Sequence, residues 1–587
     1  FCVTNWGGGF QNIYLGCAAD KESWDGVSRI VYNAESTESI FIGALAARVK
    51  KNSNGNGNWK MTNCKNFVKI ETNGCANDSG VKVLGEGYVG GLVGYSTRTR
   101  MSYCRNYAEI RNTAEFTGSP KLRMGGLVGI VAERMSQEIS DCHNHELVIS
   151  ENDAILYIGG LVGQYVPGDP ESNNVNKFTD CTNQGMVYAK NLSKYGVTIG
   201  GIVGYVSAAE GYEYPVTFDK CEFRNAEVWA QEIAQNSSAD DMICAGGIVG
   251  RTIVPTTFNA CKSIAEISDD TGIHVSLNGG STNNKGGVRV GGILGDNGPK
   301  NCMHTVLQNC EVDAEVYVNY GGGESVKPEN YCVGGIIGRI NGAADEQGPC
   351  EVRGCINRKP VHCDANRGTV GGIVGCSAAG VISGCSNLGE VYVTYKKGVA
   401  RQSQAGGIIA NAWGDTVIED CENEGEVYCR TNSDTQTEST IAGGIVGWLE
   451  GSSTVKNCTN KEAAVVKGLA NSSKAQAASY AGGIVGYNQA TSSEAVYGCK
   501  NYGRVVAVCN KALNESAAGG VVGVSTAGTV SECYNYGTIQ AGKFGSSWGY
   551  EVATYGQGIC RAGAIVGWSE SSAVADLYPT ASTSVIT

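Results

Sequence analysis

The sequence predicts an all-β chain, a parallel β-helix or β-solenoid of about 13 coils with three short strands per coil and long loop insertions. Three observations lead there. A glycine-pair element recurs at nearly constant spacing, a cysteine element follows each copy, and no long segment carries a helical apolar stripe. Composition agrees: Gly reaches 84 of 587 residues against 10 Pro, about twice the usual share near 7% and without a collagen triplet. So much glycine serves turns or close contacts.

The first element runs YVGGLVGY from 88, RMGGLVGI from 123, YIGGLVGQ from 157, and on through TVGGIVGC from 369 to RAGAIVGW from 561. There are thirteen copies, with a worn one at IGALAA from 42, and successive glycine pairs lie 34 to 47 residues apart. The second element appears as CKNFVKI from 64, CSNLGEV from 385 and CKNYGRV from 499. Its cysteines are Cys64, Cys104, Cys142, Cys181, Cys221, Cys261, Cys310, Cys355, Cys385, Cys421, Cys458, Cys499 and Cys533. Asn stands two residues later in ten of these thirteen, and Val or Ile six later in eleven.

The stretch TVGGIVGCSAAGVISGCSNLGEVYV, 369 to 393, gives the shortest unit: strand VGGIVG, turn SAAG, strand VISGC, turn SNLG, strand EVYVTY. One such unit cannot bury its own apolar face, so neighbours stack, with equivalent residues about 4.8 Å apart. Thirteen coils would extend roughly 60 Å. In a stack the cysteines form a column lining an interior corner, each free thiol acting as a small hydrophobe. Asn two residues on suits a left-handed turn and an amide ladder, and the glycines suit positive φ or close backbone approach. Residues 1–40 predict an N-terminal partial coil or cap, 41–568 the solenoid repeats, and 569–587 a C-terminal strand or tail leading toward a further segment.

The remaining cysteines fall into two sets. Cys363, Cys429 and Cys509 share the inward parity of the return strand, and Cys244 and Cys332 both stand two before a glycine pair. Cys2, Cys17, Cys75, Cys302, Cys350, Cys376 and Cys560 lie off the repeat, and disulfides are expected among these. Cysteines in one column point in parallel, which is poor bridge geometry, and no CxxC pair suggests zinc.

The GGIVGY element followed by CxNxGxV resembles the GLUG motif, a short Gly-Leu/Ile-Val-Gly repeat of bacterial adhesins, large surface proteins and the non-catalytic regions of IgA-specific peptidases. The resemblance spans about residue 40 to 568. QAGGIIAN from 404 and the coils of Cys221, Cys261 and Cys310, which lack the Asn, depart from it. It implies a bacterial cell-surface or extracellular location and brings no catalytic residues.

Chemistry is sparse. His143 and His145 share one face of a strand in DCHNHEL, which suits a metal only with a neighbouring acid. No GxSxG elbow and no calcium-binding nonapeptide occurs. The acid pairs Asp240 with Asp241 and Asp269 with Asp270 fall in polar insertions. Asn191, Asn236 and Asn457 sit in Asn-x-Ser/Thr triplets, and Asn457, next to Cys458, is expected to be buried. Aromatic residues follow the glycine element at Tyr95, Tyr205, Trp448, Tyr487 and Trp568, which makes them candidate glycan contacts beside a plain packing role.

A net charge of -12 with scattered Lys and Arg gives nucleic acid no basic face, and no apolar run is long enough to span a membrane. The expectation is therefore a non-enzymatic scaffold or adhesin. It needs no cofactor and meets surface proteins or glycans, within a larger surface complex, through loop insertions such as those from 229 and 317. The alternatives are a surface glycan-binding protein and a carbohydrate-active β-helix lyase or hydrolase.

Overall fold

The structure is a computed structural model. It describes residues 2–3, 9–17, 23, 28–33, 39–49, 59–73, 85–113, 121–132, 137–152, 154–169, 176–191, 196–208, 213–231, 242–265, 271–277, 287–298, 304–320, 331–342, 348–365, 368–395, 402–433, 439–472, 478–509, 515–543, 559–570, 573–575, 578–579 and 584–586. The chain divides into two compact units: Phe1–Gly279 with Gly292–Thr305, and Gly280–Gly291 with Val306–Thr587. Among the described residues of each there are only strands, and no helix.

Both units repeat one coil. In the second unit its shortest form comprises Gly368–Gly371, Val374–Ser383, Ser386–Asn387 and Val391–Tyr395. In the first unit the coil from Val197 parts the long side into Val203–Val206 and Val216–Asp219, then continues with Glu222–Arg224 and Val228–Gln231. The coil is thus a parallel β-helix turn with one side more than the three strands expected. The extra side is the two- or three-residue strand after the ladder cysteine, too short to leave a periodic signature. The stretch SAAG does not turn: it lies inside Val374–Ser383, where the register with the next coil shifts between Ser377 and Ala379.

Among the described residues of each unit pairing is parallel and in register from coil to coil, apart from the shift at Ser377. In the first, Asn66, Asn106, Asn144 and Asn183 align strand to strand, followed by Phe223 and Ser263. In the second, Asn357, Asn387, Asn423, Asn460, Asn501 and Asn535 align. The end segments join the same pattern. Tyr14–Leu15 pairs with Lys65–Asn66, and Ser584–Ile586 with the strand Ile539–Lys543. Val228, Ile273 and Val466 take the aligned apolar position of the return strand in their coils, although one or more residues have been inserted before them.

The glycine pair is a corner, not the middle of a strand. Gly371 ends one strand, Gly372 and Ile373 bend, and Val374 starts the next. A Cβ on Gly371 would stand 1.9 Å from the Val374 carbonyl oxygen, and one on Gly372 2.1 Å from that of Gly407. Close backbone approach, not positive φ, demands glycine there.

Left-handed backbone belongs instead to the residue before every ladder cysteine. Asn63 (φ 51°), Asp180 (50°) and Ala260 (49°) show it in the first unit, and Gly384 (59°), Asp420 (52°) and Glu532 (50°) in the second. This corrects the expectation that the Asn after the cysteine makes the turn: that Asn is an extended strand residue. It also corrects Asn457, which occupies the left-handed corner at φ 53° and is exposed, its side chain turned away from buried Cys458.

Inside each unit the core is columnar. Leu92, Leu127, Leu161, Ile202 and Ile248 follow the glycine pairs of the first unit, and Ile373, Ile408, Ile445 and Ile484 those of the second, all fully buried. Phe178, Phe218 and Phe258 stack with centroids 4.7 and 5.1 Å apart. Burial of each such side chain contributes about 1.5–3 kcal/mol, which a single coil cannot collect alone.

Candidate functional site

The interior corner is a structural centre. All thirteen ladder cysteines are reduced and buried. Each thiol is anchored by main-chain carbonyls, as where Cys421 Sγ–H reaches Glu419 O at 3.2 Å and Ile382 O at 3.6 Å. The neighbouring Cys355 thiol, together with burial, pushes the thiol of Cys385 up, and Cys385 does the same to Cys421. Burial alone pushes Cys429, on the return strand, up to about 12. A thiolate is unfavourable at Cys385, Cys421 and Cys429, whose sulfurs serve as packing groups.

Beside the thiols, each ladder Asn donates to the next. Asn387 Nδ2 reaches Asn423 Oδ1 at 2.8 Å, and Asn423 Nδ2 reaches Asn460 Oδ1 at 2.9 Å. The same amides close a local turn two residues on, Asn423 Nδ2 to Gly425 O at 2.9 Å. Where Asn is missing, Ser263 Oγ donates to Gly292 O at 2.5 Å.

The sequence-nominated aromatics lie outside, in one register column on the second side of the coil, and all are partly buried. They meet a second column that the sequence reading overlooked, made of residues two before each glycine pair. Tyr95 packs edge-on against Phe41 and Tyr88, centroids 5.9 and 5.5 Å away. Tyr205 tilts against Tyr157 at 4.8 Å. In the second unit Tyr487 contacts both Trp448 (5.3 Å, 61° between planes) and Tyr480 (5.7 Å), and Arg561 lies 4.3 Å over Trp568. These rings line a seam on the outer surface and do not form a coplanar platform. The overlooked column alternates with the inward residue before the glycines, a period-two signal present in the sequence.

Polar pairs occupy the same seam. Arg123 lies 4.8 Å over the Tyr88 ring and pairs with Glu86 at 3.0 Å. Burial pushes Glu86 up, but the Tyr88 hydroxyl and the Arg123 guanidinium outweigh it and hold the carboxyl below its usual range. Arg251 reaches the buried carboxylate of Asp296 at 3.3 Å.

The seam also holds the disulfide, Cys332–Cys376, with Cα atoms 5.7 Å apart. Cys376 comes from the off-repeat set where bridges were expected, whereas Cys332 was assigned to a repeat slot. The register explains the pair: Cys376 aligns with Arg339 of the preceding coil, so it sits in the aromatic column and faces the second column across the seam. Cys17 and Cys560 are free, and Cys350 is buried. Cys75 and Cys302 lie outside the described residues, as do Asn236 and both acid pairs.

His143 and His145 do share a face and are half-buried. His143 Nε2 lies 2.7 Å from Asp141 Oδ1, which also takes Arg105 at 2.8 Å, and His145 Nδ1 lies 2.8 Å from Gln184 Oε1. The His145 ring stacks on Tyr107 at 4.6 Å, and burial lowers the pKa of both imidazoles. Among the described residues no group of three or more His, Cys, Asp or Glu is placed to hold a metal ion, and no helix is long and apolar enough to cross a membrane.

Taken together, these features define a repeat protein of the parallel β-helix class with a thiol and amide interior and an aromatic outer seam. No protein-family profile, curated protein or solved structure matches the chain.

Proposed function

We propose that the protein is a non-catalytic scaffold of the bacterial cell surface or extracellular space, adhesin-like, that presents binding segments on a regular β-helical support. One observation carries the reading. Within each unit the coils return to aligned strands, while chain length varies between those strands: before the return strand, as ahead of Ile273, after it, as between Gln231 and Ile243, and midway along the second side, as between Ile340 and Glu351. A support that tolerates insertions at fixed corners suits display, because loop closure costs rise slowly with length. The insertions from 229 and 317 lie for the most part outside the described residues. The Cys332–Cys376 bridge supports an oxidising compartment.

The test has two arms. Intact source cells treated with a membrane-impermeant amine label are expected to yield labelled protein, and labelling only after lysis rules out surface display. Purified protein incubated with a polysaccharide panel is expected to release no new reducing ends or unsaturated products, and release of either overturns the non-enzymatic reading. The aromatic seam favours a second reading within the same setting, a surface protein that captures glycans.

A further inference from the structure

Around Trp448 the seam of the second unit gathers aromatic rings and amide side chains. Here the strands Ile409–Glu419, Val446–Gly451 and Val485–Ala490 lie side by side, with Asn411 aligned to Trp448, and Trp448 to Tyr487. Trp413 is two residues beyond Asn411 on the same face, partly exposed, and Glu450 is two beyond Trp448. In the first unit, polar members of the seam form ion pairs, as Arg123 does with Glu86 and Arg251 with Asp296. Here Gln404 Oε1, Asn411 Oδ1 and Trp448 Nε1 have no hydrogen-bond partner, although Gln404 is only 6% exposed. Gln404 stands two before its glycine pair, in the column that meets the aromatic column both of its own coil, as Tyr480 meets Tyr487, and of the next. Cys332 meets Cys376 and Tyr157 meets Tyr205 one coil on, so the register places Gln404 next to the positions of Asn411 and Trp448.

We propose that Trp413, Trp448 and Tyr487, with Gln404, Asn411 and Glu450, form a binding subsite for an uncharged glycan on the outer surface of the second unit. The chemistry of the unpaired atoms selects the ligand. They comprise two acceptors and one donor beside aromatic rings, and a sugar hydroxyl both donates and accepts while the C–H face of the pyranose packs on a ring. An apolar peptide would leave all three unpaired, and buried polar atoms without partners are costly. Burial holds the Glu450 carboxyl above its usual range, and its amide neighbour Asn411 only partly offsets that. A sugar acid would bring a second negative charge to a carboxyl that is already poorly solvated. Arg339 covers one face of Trp413 at 5.7 Å, so the sugar takes the remaining exposed surface of that ring. The rings shield the unpaired atoms, so binding requires Trp448 to turn, and its fluorescence reports occupancy.

The inference rests on the glycan-capture reading for its setting, but its test needs no cell. The full chain is run in native gels containing galactomannan, xylan, mixed-linkage glucan or yeast mannan, with polygalacturonate and hyaluronate as acidic counterparts. At least one neutral polymer is expected to retard it, with a tryptophan emission shift on titration. Trp413→Ala and Asn411→Ala are expected to weaken that binding by about tenfold or more. Tyr502→Ala, which removes an exposed ring stacked on Tyr536 elsewhere on this unit, is expected to leave it unchanged. Equal melting temperatures show that each variant folds, and the conservative Trp413→Phe is expected to restore part of the affinity. No retardation by any neutral polymer, retardation by the acidic ones alone, or loss of binding in Tyr502→Ala but not Trp413→Ala each overturns the subsite. A protein that is retarded yet not displayed on cells refutes the surface reading alone.

Discussion

Asn423 carries three hydrogen bonds in a site with no solvent exposure: it accepts from Asn387 and donates to Asn460 and to the Gly425 carbonyl. Replacing it with Ala leaves a donor and two acceptors buried without partners, in the middle of a six-amide run. A stranded buried polar group costs about 1–3 kcal/mol, so Asn423→Ala is expected to lower stability by roughly 2–5 kcal/mol in urea unfolding. A loss below about 0.5 kcal/mol, the scatter of ordinary surface substitutions, would show that the amide ladder is dispensable. The importance of this residue was legible in the sequence, because an environment that repeats selects the same side chain repeatedly. Its conformation was not. Asn is common both in left-handed turns and in stacked amide ladders, and the residue type alone does not separate the two.

At the level of the corner, the same ambiguity runs the other way. The position before each ladder cysteine is left-handed in every coil, yet it holds Asn, Asp, Gly, Tyr, Lys, Ala or Glu, so no motif marks it. The glycine pair, by contrast, is nearly invariant within the chain because main-chain oxygens crowd it, and crowding admits only one residue type. Geometry that several residues tolerate at a cost leaves a weak trace. The cost itself is measurable. A Cβ on Gly384 would meet open space beyond a main-chain nitrogen 4.0 Å away, so Gly384→Ala isolates the penalty of φ 59°. It is expected to destabilise by about 1 kcal/mol, and Ala260→Gly, at φ 49°, to stabilise by up to a similar amount after the glycine entropy cost. Opposite signs in paired denaturation curves confirm the left-handed corner, and equal signs refute it. The seam lay beyond the sequence reading for a related reason: the column two before the glycines mixes Phe, Tyr, Arg, Thr and Cys, and only the corner that brings it against the second column makes those residues a surface.

Over a whole unit, stability is a sum of coils and of the contacts between adjacent coils, because strand pairing runs only from each coil to the next. That arithmetic makes excision of one coil a decisive experiment in the second unit. Removing residues 385–420 joins Gly384, in its left-handed corner, directly to Cys421. The ladder then continues from Cys355 to Cys421 and from Asn357 to Asn423, with Cys332 and Cys376 still present for their bridge. The shortened chain is expected to keep a β-rich circular dichroism spectrum and a single cooperative transition. Its unfolding free energy should fall by no more than the contribution of one coil and one interface. The excision also deletes Gln404, Asn411 and Trp413, so any glycan retardation should vanish while the fold persists. A deletion of half a coil, residues 385–402, instead joins Gly384 directly to Ser403, so that the strand leading to the next glycine pair falls where the cysteine strand belongs. If both deletions unfold the chain alike, the stacked coil is not the unit of stability; survival of the first alone identifies it as that unit.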